Sequence, residues 1–191
     1  MAAYEVEVKA YVQEGGPFDG SSGEIARIEN ELIGSGAVLI GHFEHSDLYL
    51  AHPCRDLSRS DEALRIRNQK RLEDGECRSF ITYKGPKLSE RSKARAETEL
   101  EVSDIESMRD IFLHMGFTKV MRVVKYRTFF DLGKMRLCLD MVKGLGYFLE
   151  AEIMSDDIKG AEDELLEFMK GLGLERFERR SYLELLLEKQ V

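Results

Sequence analysis

Apolar and charged positions alternate with a period of two along much of the chain. In "YEVEVKAYV", residues 4–12, Val6, Val8 and Ala10 fall on one side. Glu5, Glu7 and Lys9 fall on the other, about 7 Å apart as alternate residues of a strand. The same alternation, or β-rich content, predicts strands over 46–50, 63–71, 78–84, 94–102, 122–131, 135–142 and 147–153. Helical spacing separates some of them. Residues 24–34 place Ile25, Ile28, Leu32 and Ile33 on one face, and Gly34 and Gly36 stop the run. Residues 104–115 open on a capping-box pattern of Ser103 and Glu106 and end at Gly116. Helices over 157–171 and 182–189 follow, the last with Ser181 and Glu184 in the same pattern. A strand, a helix and three strands thus occur in that order twice, a weak internal duplication. Loops are expected at 13–23, 52–61 and 85–93, and the last two carry basic residues suited to covering a ligand.

The polar faces of these strands are charged rather than merely hydrophilic. Arg65 and Arg67 share a face opposite Leu64 and Ile66, and Lys84 lies two residues from Thr82. Arg95, Glu97, Glu99 and Glu101 share a face, as do Lys125 with Arg127, Arg136 with Cys138 and Asp140, and Phe148 with Glu150 and Glu152. One reading is a sheet packed on helices with its polar face in water. Against it, the charges sort by strand, and Thr, Ser and Gln are few. The other reading is an eight-stranded sheet that closes and turns its charges inward, where they need partners or a ligand.

Composition narrows the choice. A chain of 191 residues suits one domain, residues 1–191, and its 43% hydrophobic and 34% charged content is that of a globular protein. A formal net charge of −8 makes general nucleic-acid binding a poor expectation but leaves room for a local basic site. Three cysteines without a CxxC pair fit a reducing, cytoplasmic setting and read as packing residues. No apolar run suggests a signal peptide or a membrane span. His42 and His45 of "HFEH" read as surface histidines, and the glycine pairs at 34–36, 144–146 and 171–173 lack the GK[ST] of a P-loop. "ELLEFMKGLGL" (164–174) reads as a core-packed helix rather than a membrane anchor.

Separated acidic and basic sets have a joint use. Lys and Arg hold phosphate oxygens. Carboxylates hold Mg²⁺ or Mn²⁺, which also bridge phosphates. Together they suit a nucleotide- or polyphosphate-processing site.

The same residues resemble the CYTH family, named for CyaB-type class IV adenylyl cyclases and thiamine triphosphatases. Its ExExK strand is matched by Glu5, Glu7 and Lys9. "DLYL", "LRIR", "TYKGP", "RAETELE", "KYR", "LDMVKGLGYFLEAE" and "SYLELL" follow in the family's order over nearly the whole chain. The resemblance implies an α+β fold: a closed antiparallel eight-stranded β-barrel, the triphosphate tunnel, with helices packed outside. It implies Glu5, Glu7, Glu150 and Glu152, with Asp140 close by, as the ligands of Mg²⁺ or Mn²⁺. Lys9, Arg65, Arg67, Lys84, Arg95, Lys125 and Arg127 would form the phosphate cradle. Glu5, Glu7, Lys9 and Asp140 would be the catalytic residues, while Glu97 and Glu99 are read as salt-bridge partners or further acidic members. The partner implied is ATP or another triphosphate, with no nucleic acid, no membrane and a homodimer as the family's assembly. The "GLGYFLEAE" and "RRSYLELL" segments favour the CyaB-like branch, hence ATP conversion to cyclic AMP and pyrophosphate. The alternatives are a triphosphatase acting on inorganic triphosphate, thiamine triphosphate or a nucleoside triphosphate, and a non-catalytic polyphosphate- or nucleotide-binding module. Absence of tryptophan counts modestly against thiamine triphosphate, since no indole is available to stack on the thiazolium.

Overall fold

The computed structural model describes residues 4–12, 22–89 and 91–190; most of the 13–23 loop and Glu90 of the 85–93 loop lie outside the described residues. The described residues form eight strands and four helices. They are β1 (Tyr4–Tyr11), α1 (Ser22–Gly34), β2 (Val38–Ala51), β3 (Ala63–Arg71), β4 (Cys77–Lys84), β5 (Glu97–Val102), α2 (Ile105–His114), β6 (Thr118–Leu132), β7 (Met135–Val142), β8 (Gly146–Ser155), α3 (Ile158–Gly171) and α4 (Tyr182–Glu188). The strands form one antiparallel sheet in the order β1-β8-β7-β6-β2-β3-β4-β5. That order is unchanged when β1–β4 are exchanged with β5–β8 and the list is reversed, so the repeat seen in the sequence is a two-fold pattern centred on the β2–β6 pair.

The sheet is curled, and its ladder stays open between β1 and β5, where a closed barrel was expected. β5 has six residues, and they run along β4 from the pair Lys84–Glu97 to Ser79–Val102. The segment before β5 reaches β1 instead, through Lys93 N–H to the Glu7 carbonyl at 3.0 Å and Arg95 N–H to the Glu5 carbonyl at 3.2 Å.

Two elements exceed expectation. β2 and β6 extend to 14 and 15 residues because they pair with each other along almost their full length, which the flanking "VLIGH" and "TKVM" do not announce. The cap of α2 is Asp104, whose side chain accepts from the Ser107 N–H, and not Ser103. The Ser181–Glu184 capping box of α4 is formed in both directions. Gly133, with φ of +66°, sits in the two-residue β6–β7 turn, where the hairpin twist requires a positive φ.

The apolar strand faces point outward, toward the helices. Val6, Val8 and Ala10 of β1, Leu137 and Leu139 of β7 and Leu149 and Ala151 of β8 pack with Ile28 and Leu32 of α1 and Leu165 and Met169 of α3. Leu48, Leu50, Leu64 and Ile66 pack with Ile105 and Phe112 of α2. Burying side chains of this size contributes about 1.5–3 kcal/mol each. With the outer face committed to the helices, the charged face of every strand is left on the concave side.

Candidate active site

The concave face surrounds a cavity of about 1090 Å³. Ten of the twelve predicted site residues line it: Glu5, Glu7, Arg65, Arg67, Lys84, Arg95, Lys125, Arg127, Glu150 and Glu152. Lys9 and Asp140 lie behind its wall.

Two buried aspartates orient the basic side. Asp47 of β2 takes Arg67 Nε and Nη2 at 2.7 and 2.8 Å, and Arg65 Nη1 stands 3.5 Å away. Burial opposes ionisation of Asp47, but Arg67 and Arg65 outweigh it and hold the carboxyl well below the usual range. Asp140 of β7 is fully buried and accepts from Lys125 Nζ at 2.9 Å, Arg127 Nε at 2.7 Å, Arg127 Nη2 at 2.6 Å and the Tyr182 hydroxyl at 2.9 Å. Its oxygens are therefore taken by donors behind the wall, and it orients cations instead of standing among metal ligands. Arg65 also donates to Thr82 Oγ1 at 3.1 Å, and Thr82 donates to Glu99 at 2.7 Å. Glu97 pairs with Lys84. Glu97 and Glu99 of β5 are thus salt-bridge or hydrogen-bond partners of the cradle.

The acidic side comes from adjacent strands. Glu7 of β1 stands opposite Glu152 of β8, and Lys9 opposite Glu150. Glu150 is held well below its ordinary range: burial opposes this, but Lys93, Lys125 and Arg127 prevail. Glu152 behaves in the opposite way, since burial and then the charge of Glu5 push it up to about 7. Among the described residues no three His, Cys, Asp or Glu side chains converge as a complete metal cage. A carboxylate raised by its acidic neighbour is nonetheless what a divalent cation would relieve. Mg²⁺ characteristically takes one or two carboxylates and completes its shell with water and substrate phosphates. Glu5 and Glu152, with Glu7 beside them, fit that donor set.

Lys9 departs from the expected cradle. It is almost fully buried, donates from Nζ to the Arg180 carbonyl at 2.5 Å and lies 4.1 Å from the centroid of the Tyr182 ring. Burial, then the neighbouring Lys93, lowers its pKa well below the ordinary value. The cause is α4, which brings Tyr182 and Leu185 onto Val123, Val142 and Phe148 at one end of the concave face.

Lys93 was missed by sequence reasoning, being assigned to a loop. It is buried, bonded to Glu7 and 3.4 Å from Glu150. Its "KAR" spacing with Arg95 was the available signal. Asp47 and Tyr182 lie within matched motifs, but neither was given a role. His45, read as a surface histidine, is 1% exposed and lines the cavity, because the β2 alternation continues upstream through Phe43 and His45. His42, one face over, is exposed and pairs with Glu73 at 2.8 Å. Cys138 is buried, which raises its thiol pKa well above the ordinary value, whereas Cys54 and Cys77 are exposed rather than packed.

The chain matches the CYTH domain over residues 3–182. It is 40% identical over 144 residues to "Putative adenylate cyclase MJ0240" of Methanocaldococcus jannaschii, covering 73% of this chain and 79% of that one. The PH1819 protein of Pyrococcus horikoshii superposes with a TM-score of 0.86 at 39% identity, over 97% of this chain and 99% of that one. HpAC1 of Hippeastrum, a "putative adenylyl cyclase" described as having a dominant triphosphatase activity, shares the fold at a TM-score of 0.63 and 16% identity, over 98% and 96% of the two chains. No helix of the described residues is long and apolar enough to cross a membrane.

Proposed function

This chain is a member of the CYTH domain family, and on that premise we propose that it is a divalent-cation-dependent adenylyl cyclase, converting ATP to cyclic AMP and pyrophosphate within the curled sheet. The observation that carries the reading is the convergence of Arg65, Arg67, Lys84, Lys93, Arg95, Lys125 and Arg127 on one cavity that also holds Glu5, Glu7, Glu150 and Glu152. At about 1090 Å³ the cavity is slightly larger than most sites that enclose small molecules, which favours a nucleotide over a bare triphosphate. Leu183 and Leu187 of α4, and Leu57, Phe43 and Phe129 elsewhere on the lining, offer apolar surface for a nucleoside.

Most of these charges pair with one another and Glu152 is left to a cation, so metal and triphosphate suit the site best as a pair. Glu5 and Glu152, with Glu7 beside them, would offer carboxylates to Mg²⁺ or Mn²⁺, which supplies charge neutralisation at the phosphates. Arg65, Arg67, Lys125 and Arg127 bind phosphoryl oxygens, and Asp47 and Asp140 keep their guanidinium and ammonium groups in place. In-line geometry and charge stabilisation are the terms such a site contributes to phosphoryl chemistry.

The test is to supply purified protein with Mg²⁺ or Mn²⁺ and either ATP or inorganic triphosphate, and to identify products by mass. Cyclic AMP with pyrophosphate is expected from ATP. Release of inorganic phosphate instead would make the chain a triphosphatase. Glu5→Gln is expected to abolish metal-dependent turnover while the protein melts cooperatively, and undiminished turnover would remove Glu5 from the metal site.

A further inference from the structure

His45 sits in the middle of β2, in register with Gln69 of β3 on one side and Lys125 of β6 on the other. Its ring lines the cavity, is 1% exposed and is braced by Phe43, with ring centroids 6.3 Å apart. Neither Nδ1 nor Nε2 has a hydrogen-bond partner among the described residues. A buried polar group without a partner is costly, and such groups are rare.

The surroundings define what would satisfy it. Burial, then Arg67, Lys125, Arg127 and Arg65, disfavours protonation strongly, so the imidazole is neutral. A metal ion is disfavoured by the same four cations. Asp47, two residues along the same face of β2, is already engaged by Arg67 and Arg65. An N–H donor among cations that bind phosphate is complementary to a phosphoryl oxygen. A neutral donor also adds a hydrogen bond without requiring another buried counter-ion.

We infer that His45 is a substrate-binding residue, a neutral hydrogen-bond donor to a phosphoryl oxygen of the bound triphosphate. The inference rests on the triphosphate reading above and adds to it a member of the phosphate cradle that carries no charge. The second ring nitrogen then remains an acceptor on the cationic side of the cavity.

The experiment is calorimetric titration of the full chain with inorganic triphosphate in Mg²⁺, comparing wild type with His45→Gln and His45→Leu. Loss of a hydrogen bond to a charged oxygen is expected to weaken binding about tenfold or more in His45→Leu. His45→Gln, which keeps an N–H donor, is expected to stay within about threefold of wild type. The unliganded His45→Leu protein is expected to melt no lower than wild type, since an unpartnered polar ring has been removed; a purely structural histidine would lower it. On the wild-type protein, ¹⁵N-imidazole NMR is expected to show a neutral ring whose N–H resonance shifts and becomes protected from exchange when triphosphate is added. Equal affinity in His45→Leu, or an unmoved His45 resonance in a protein that binds triphosphate, overturns the inference alone. Failure of the wild-type protein to bind triphosphate overturns the triphosphate reading together with it.

Discussion

Asp47, Glu150 and Asp140, at or behind the cavity wall, each stand against more than one cation, so removing one leaves its partners exposed to the cost of uncompensated burial. Asp140 is the extreme case, with Lys125, Arg127 and Tyr182 all bonded to it. Asp140→Asn is expected to destabilise the protein by about 3–5 kcal/mol in urea titrations, the usual penalty for breaking a buried pair. Arg65→Ala is expected to weaken triphosphate binding at least tenfold by calorimetry, because Arg65 faces the cavity with little exposure. Glu152 sets a pH response of the metal-free protein. Its carboxyl titrates near 4.5 when unfolded and about 7 when folded, so between those values the folded state holds a proton the unfolded state has released. Stability from this group is complete below about pH 4.5 and is lost as pH rises through 7. The melting temperature in EDTA is expected to fall over that window by several degrees more in wild type than in Glu152→Gln. A flat difference between the two would show that Glu152 is not raised. At this scale the sequence disclosed which residues were charged and which face they shared. It did not disclose that Lys9 is covered by Tyr182, or that His45 belongs to the inner face.

Among the elements, α4 has the largest local consequence for the site. Its capping box fixes where the helix starts, and that start places Tyr182 over Lys9 and against Asp140. Ser181→Ala is expected to cost about 1 kcal/mol in chemical denaturation, the usual value of an N-cap. This box was legible because both partners lie within four residues. The α2 cap was not, since Ser103 and Asp104 are adjacent and equally suited, and the backbone turn of Asp104 decides between them. The full lengths of β2 and β6 were likewise illegible, because pairing with the other strand decides how far each one runs.

Across the whole molecule, the net charge of −8 conceals a buried cationic cluster, since Arg65, Arg67, Lys93, Arg95, Lys125 and Arg127 are all buried in the cavity wall. The curled sheet also has unequal edges. Its centre is the long β2–β6 ladder, whereas the β1 to β5 seam rests on the two backbone bonds from Lys93 and Arg95. Native-state hydrogen exchange is expected to be slowest at the β2–β6 amides and fastest, among strand-bonded amides, at Lys93 and Arg95. Magnesium triphosphate is expected to slow the seam amides most, because Lys93 and Arg95 face the cavity. Uniform protection would mean that the seam does not open separately.

Alternation along the chain determined the strands, the outward apolar faces, the inward charges and the repeated order of elements, because these follow from spacing between near neighbours. Family-like motifs carried ten of the twelve predicted residues to the cavity wall. The tertiary structure alone decided which charges meet. Lys93 reaches Glu150, 57 positions away, and Tyr182 reaches Asp140, 42 positions away. It also decided that the ladder stops short of closure, since the segment before β5, through Lys93 and Arg95, reaches β1 in place of β5 itself. Such pairings depend on strand register, sheet curl and the docking of α4, and none of these is a property of a local stretch of sequence.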